Sequence, residues 1–266
     1  MAAPPGIRMD EKFWYLKNCS LFECLADEHI RRLESRAKSR AFKRGSLVYV
    51  PTDQGDCVLL LTSGRVKIFH NTQDGKQAVL AIIDPGELFG ELAIATLDES
   101  QREEYAEAME ASTIVLIPAE DIRRLAAEHP GLSLGITKLM GLSRRRFERR
   151  LKSLLFRSNR ERLVHLLFDL AEKYGRYTTD GGITLGIHLS HQELANIIGS
   201  TRETVTLVLG ELQAEGAIAV TRRDIVLCQA GRLAEMIEVP IPKLKSAREL
   251  RKVFLPQSQR GGTYQL

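Results

Sequence analysis

The stretch SHQELANIIGSTRETVTLVLGELQAEG, residues 190–216, contains two helix starts ten residues apart. Ser190-x-x-Glu193 opens one helix and Ser200-x-x-Glu203 the next. Each pairs an N-cap hydroxyl with a carboxylate three residues on that reaches back to the cap. Between them Ile197-Ile198-Gly199 closes the first helix, and Gly199 can take the left-handed conformation a tight turn requires. Ala195 is small enough for two helices to cross closely, and Val205, six residues after the glycine, fills the space between them. Ala-x3-Gly-x5-Val inside two capping boxes reads as a helix-turn-helix.

The second helix begins Thr201-Arg202-Glu203-Thr204-Val205-Thr206-Leu207, and its first turns carry groups suited to a DNA major groove. Arg202 can donate two hydrogen bonds to guanine O6 and N7, and Glu203 can accept one from cytosine N4. Thr206 is a third base-reading candidate, and Ser190, Thr201 and Thr204 are candidate contacts to the DNA backbone. The competing reading is a solvated helix start in which Glu203 only caps. Downstream, Ile218–Val220 and Ile225–Leu227 flank Thr221-Arg222-Arg223-Asp224. That is a hairpin whose tip places Arg222 and Arg223 within reach of phosphate, a wing.

Working outward, Ser158-x-x-Glu161 is another capping box and predicts a helix from Asn159 to about Tyr174, with Leu163, Leu166, Leu167 and Leu170 inward. Before it, Pro130 to Phe156 reads as one long helix. Leu132, Ile136, Leu139, Phe147, Leu151 and Leu154 form a narrow apolar seam interrupted by Ser143. Such a seam needs a partner, either a second copy of the chain or the N-terminal domain. Residues 42–117 change character: Leu47–Val50, Cys57–Leu61, Val66–Phe69, Ala78–Ile83 and Thr113–Ile117 are short apolar runs punctuated by glycines 45, 55, 64, 75 and 86. That rhythm, with a hairpin signal at Asp74-Gly75, predicts an antiparallel sandwich or barrel. Residues 12–40 read as helical.

The expected organisation is α+β. A sensor domain spans 1–129, a dimerisation helix and hinge 130–157, a winged helix-turn-helix 158–230, and a basic extension 231–266. The hinge falls at Phe156-Arg157-Ser158.

Composition narrows the function. Hydrophobic residues make up 44% and charged residues 27%, enough for a core and too polar for a membrane protein. The N-terminus shows no signal-peptide pattern, so a cytoplasmic location is expected. The net charge of +4 permits a nucleic-acid partner without demanding one. The six histidines are scattered, and no Gly-x-Ser-x-Gly or Walker loop occurs, so an enzyme is not expected.

From about residue 18 to 230 the chain resembles the cyclic-AMP receptor protein/FNR superfamily of bacterial regulators, most specifically in Gly199-Ser200-Thr201-Arg202-Glu203-Thr204-Val205. The resemblance implies an N-terminal β-roll like the cyclic-nucleotide-binding jelly roll, a long dimer helix and a C-terminal winged helix. It also implies a homodimer on palindromic DNA, base reading by Arg202 and Glu203, and RNA polymerase as a further partner. Many members carry a third reader, an arginine, where this chain has Leu207.

The effector pocket departs from the family pattern. Gly90-Glu91-Leu92-Ala93 resembles the first half of the phosphate-binding loop, but Arg102 falls one residue late and is followed by Glu103 and Glu104. A carboxylate in place of a small hydroxyl repels a phosphate by about 4 kcal/mol at about 4 Å and an effective dielectric of about 20. On the dimer helix, Phe147 and Glu148 stand where adenine-contacting hydroxyls belong. Gly90, Glu91, Leu92, Arg102, Phe147 and Glu148 therefore form a degenerate pocket that argues against cyclic AMP, and Arg102 is free to pair with Glu91. No cofactor is expected. Cys19, Cys24, Cys57 and Cys228 lack the close triplet of an iron–sulfur site, a Cys19–Cys228 disulfide awaits geometry, and His70 and His129 are isolated as haem ligands. The alternative function is a ligand- or redox-sensing regulatory subunit acting on a protein, which leaves the helix-turn-helix unused.

Overall fold

The computed structural model describes residues 9–72, 75–95, 101–221 and 224–244. The chain divides into two compact units, up to Arg145 and from Arg146.

The first unit opens with α1 (Met9–Lys17) and α2 (Asp27–Arg36), followed by β1 (Lys38–Phe42), β2 (Leu47–Tyr49), β3 (Cys57–Ser63), β4 (Val66–Asn71), β5 (Gln77–Ile83) and β6 (Leu88–Phe89). A short α3 (Leu92–Ala95), β7 (Tyr105–Ala108), β8 (Ser112–Pro118) and α4 (Ala119–Glu128) complete it, and α5 (Pro130–Phe156) leads out. The strands form two antiparallel sheets, ordered β1-β8-β3-β6 and β2-β7-β4-β5. This is the expected β-roll. Along β3, Leu59 and Leu61 face the core between the sheets, while Val58 and Leu60 face a second core formed with the helices. Burial on both faces explains why Cys57–Leu61 is an unbroken apolar run rather than an alternating one.

One local expectation changes. Residues 12–40 are not one helical segment: the chain breaks between Lys17 and Asp27, and β1 begins at Lys38. β1 (KSRAF) is a polar edge strand, exposed at every position but the last, so no alternation marks it. β7 (YAEA), which no apolar run marks, buries Ala106 and Ala108 completely. The β4–β5 hairpin pairs from Val66↔Ile83 to Asn71↔Gln77 with a one-residue register shift between Ile68 and Phe69, while Asp74 of its expected turn lies outside the described residues.

The second unit contains the end of α5, then α6 (Asn159–Tyr174), β9 (Gly175–Tyr177), β10 (Ile183–Leu185), α7 (His191–Ile198), α8 (Arg202–Ala214), β11 (Ile218–Val220), β12 (Ile225–Leu227) and α9 (Ala230–Met236). Its sheet runs β11-β12-β10-β9. Both boxes at Ser158/Glu161 and Ser190/Glu193 form with reciprocal bonds. An S158A substitution is expected to lower stability by about 1 kcal/mol in chemical denaturation. An unchanged midpoint would mean the cap contributes nothing here. α9 corrects the reading of residues 231–266: Leu233, Ala234 and Ile237 are buried in the core of this unit, so the domain continues past residue 230. Residues 245–266 of that extension lie outside the described residues.

The apolar seam of α5 splits in two. Leu132 is fully buried and Ile136 packs on the first unit's helical core, so the helix start is satisfied by its own domain. Phe147, Leu151, Leu154 and Leu155, spaced i, i+4, i+7 and i+8, remain between 41% and 64% exposed.

Candidate nucleic-acid interface

The helix-turn-helix is built around Ala195, Gly199 and Val205. Ala195 and Val205 are fully buried between α7 and α8. Gly199 sits at φ 66°, ψ 50°, and both its N–H and that of Ser200 donate to the Ala195 carbonyl. The left-handed φ strains any other residue there, and an added Cβ would also press on the end of the Leu154 side chain at 2.9 Å.

The remaining carbonyls at the end of α7 are met from distant helices. Arg150 of α5 donates to the Ile197 carbonyl at 2.7 Å. Arg162 of α6 donates to those of Ile198 at 2.8 Å and Gly199 at 3.3 Å, and is itself held by Asn159 at 2.7 Å. Two cations therefore stand at the negative end of the α7 dipole. Burial pushes the Arg150 guanidinium below its ordinary value. These two residues escaped sequence reading, since their partners lie 47 and 36 residues away.

At the start of α8 the cap differs from expectation. Thr201, not Ser200, is the N-cap, its hydroxyl accepting from Thr204 N at 3.2 Å and sharing a 3.0 Å contact with the Thr204 hydroxyl. Glu203 is solvent-exposed; its own backbone N–H, and then the Thr201 hydroxyl, hold its carboxyl below the usual range. It therefore stays an anionic acceptor. The Arg202 side chain is exposed and makes no hydrogen bond or ion pair among the described residues, although its charge acts on Glu203. Ser190, like Thr201, is occupied as a cap: its hydroxyl donates to Glu193 Oε2 at 2.7 Å.

Thr206 departs furthest from the sequence reading. Its hydroxyl donates to the Arg202 carbonyl at 2.9 Å. Having spent its one proton, the same oxygen accepts from His191 Nδ1 at 2.8 Å. The hydroxyl of this exposed residue thus ties α8 to α7, and His191 is a residue the sequence did not single out. Leu207 follows on the exposed face, opposite buried Val205, Val208, Leu209 and Leu212.

The wing forms as expected. β11 and β12 pair from Ile218↔Leu227 to Val220↔Ile225, and Asp224 N donates to the Thr221 hydroxyl at 3.0 Å. Arg222 and Arg223 lie outside the described residues.

In the first unit, Arg102 does not pair with Glu91. Its guanidinium is buried, donating to the carbonyls of Gly90 at 3.0 Å and of Cys57. Its face lies 4.7 Å over the Tyr49 ring. The Tyr49 hydroxyl donates to Glu104 at 3.0 Å. Burial, and then the Glu104 charge, push the Tyr49 phenol well above its ordinary range. Glu91 instead accepts from Ser143 of α5 at 2.8 Å. Each terminal nitrogen of Arg102 thus makes one bond to a protein carbonyl, one face covers Tyr49, and the Glu104 carboxylate stands next in the network. Phe147 and Glu148 are exposed and belong to the second unit.

Gly90 makes the arrangement attainable: at φ 69°, an added Cβ would lie 2.4 Å from Arg102 Nη1. A G90A substitution is expected to destabilise the protein by about 2 kcal/mol, from left-handed strain together with displacement of a buried cation. An unchanged thermal midpoint would show that the loop yields without cost.

All four cysteines are free thiols, and burial first of all raises Cys19 and Cys57 to about 11. No group of three metal-binding side chains occurs among the described residues.

Residues 39–129 match the cyclic nucleotide-binding domain family and residues 161–236 the Crp-like helix-turn-helix domain family. The chain is 34% identical over 188 residues to a global nitrogen regulator of a Synechocystis species, covering 70% of this chain and 82% of that one. It is 28% identical over 227 residues to a CRP-like cAMP-activated global transcriptional regulator of Mycobacterium tuberculosis, covering 85% and 98%. Among solved structures, a CooA variant from Carboxydothermus hydrogenoformans superposes with a TM-score of 0.65 at 25% identity, covering 76% of this chain and 88% of that one.

Proposed function

Because this chain belongs to the Crp/Fnr superfamily of DNA-binding transcription regulators, we propose that it binds a palindromic site as a homodimer and does so without cyclic AMP. The chief support for the dimer is the stripe Phe147, Leu151, Leu154 and Leu155, which one copy of the chain leaves uncovered and a second copy can bury. Two α8 helices then enter successive major grooves about 34 Å apart. Exposed Arg202 donates to guanine, anionic Glu203 accepts from cytosine, and the wing meets phosphate. Independence from cyclic AMP follows from Arg102, whose donors serve Gly90 and Cys57 and whose face serves Tyr49. The same committed network leaves a protein-directed sensor subunit with less support than a DNA-reading dimer.

We place the protein in the cytoplasm, with RNA polymerase as a further partner. No helix among the described residues is long and apolar enough to cross a membrane.

Selection of bound fragments from a random DNA pool, with purified effector-free protein at moderate salt, tests the reading. The expected result is an inverted repeat whose recovery does not change when cyclic AMP is added. Affinity is expected to fall linearly on logarithmic axes as salt rises, since released counterions drive phosphate contacts. A site recovered only with cyclic AMP, or a flat salt dependence, would overturn the proposal.

A further inference from the structure

We propose that Leu207 reads the 5-methyl group of a thymine, and that this contact takes the place of a polar third base reader in each half-site. The inference rests on the reading that α8 enters the major groove. Leu207 is 64% exposed, a large apolar side chain on a helix whose other face supplies the core through Val205, Val208, Leu209 and Leu212. At 100° per residue it shares the outward face with Arg202, Glu203, Thr206 and Gly210, so it is continuous with the base-reading surface.

Leucine can neither donate nor accept a hydrogen bond. The one apolar group that a base pair presents in the major groove is the thymine methyl. Over any other base, the leucine covers donors or acceptors and returns nothing for their lost water. The neighbouring Thr206 hydroxyl has no proton left to offer a base acceptor, because it donates to the Arg202 carbonyl and accepts from His191.

Gly210 points the same way. Glycine inside a helix is less stable than alanine, yet a Cβ at Gly210 would meet nothing within 4 Å. No contact among the described residues calls for a glycine there. Its missing side chain leaves the space beside Leu207, one turn along, open to a base pair. Leu207 lies five residues beyond Arg202, about 7.5 Å along the helix axis. The thymine therefore falls within about two to three base pairs of the guanine that Arg202 reads, at about 3.4 Å per step.

The test is a competition assay with the full chain on its selected palindrome, replacing each thymine in turn by deoxyuridine, which removes only the methyl group. One thymine per half-site is expected to matter, weakening wild-type binding about fourfold per half-site, the worth of one buried methyl. In L207A the same replacement is expected to change nothing, while discrimination at the Arg202 guanine persists. Leu207 is exposed, so L207A keeps the wild-type melting curve. Equal uracil penalties in wild type and L207A, or none at any thymine in wild type, overturn the role of Leu207 and leave the DNA reading intact. A wild type that selects no sequence and is indistinguishable from R202A overturns the DNA reading itself.

Discussion

Replacing Phe147 and Leu151 together by aspartate is expected to leave the protein monomeric and to weaken binding to its palindromic site at least about a hundredfold. The two side chains lie one turn apart on α5 and are 64% and 46% exposed. Burying a phenylalanine or leucine is worth about 1.5–3 kcal/mol, and a symmetric seam counts each twice. Four carboxylates brought into that seam would lose water without gaining partners. A monomer then holds one half-site alone and forfeits the effective concentration that linkage provides, a factor of about 10²–10⁴. Because neither residue is part of the described cores, the double variant should keep its helical content. Light scattering reads the mass and a mobility shift reads the affinity. A variant that remains dimeric, or that binds as tightly as wild type, removes α5 as the interface.

R202A carries the second large effect. Specific binding is expected to fall by about 1–3 kcal/mol per half-site, while affinity for random duplex stays nearly constant. Arg202 opens α8, and its side chain is exposed without a hydrogen bond or ion pair among the described residues, so its loss should not alter folding. Glu203 is a poorer probe: its carboxylate is also bonded at the helix start, and removing it would mix recognition with capping. Equal loss on specific and random DNA would reduce Arg202 to a phosphate contact.

The contrast between these two residues shows which information is local. Ser158, Ser190, Gly199 and the run Cys57–Leu61 act through neighbours within a few residues, or through periodicity along one element. Their reading survives intact in the structure. The start of α8 was legible only to within one residue, because Ser200 and Thr201 are both competent caps and the turn after Gly199 chooses between them. β1 and β7 were illegible: their strand state comes from pairing with β8, and with β2 and β4, and their own residues favour neither alternation nor β-branching.

The amino-acid sequence by itself determined the two-part architecture, the helix-turn-helix with its wing, and Arg202 and Glu203 at the head of α8. Each of these is written in caps, turns and apolar spacing that operate over short distances. Only the tertiary structure decided what the polar groups do with their hydrogen bonds. Arg102 turns from Glu91 to carbonyls 12 and 45 residues away, Arg150 reaches 47 residues to the turn of the motif, and Thr206 bonds His191 15 residues earlier. A buried donor must be satisfied by whatever acceptor the packed chain brings near it, and that neighbour has no fixed offset in sequence.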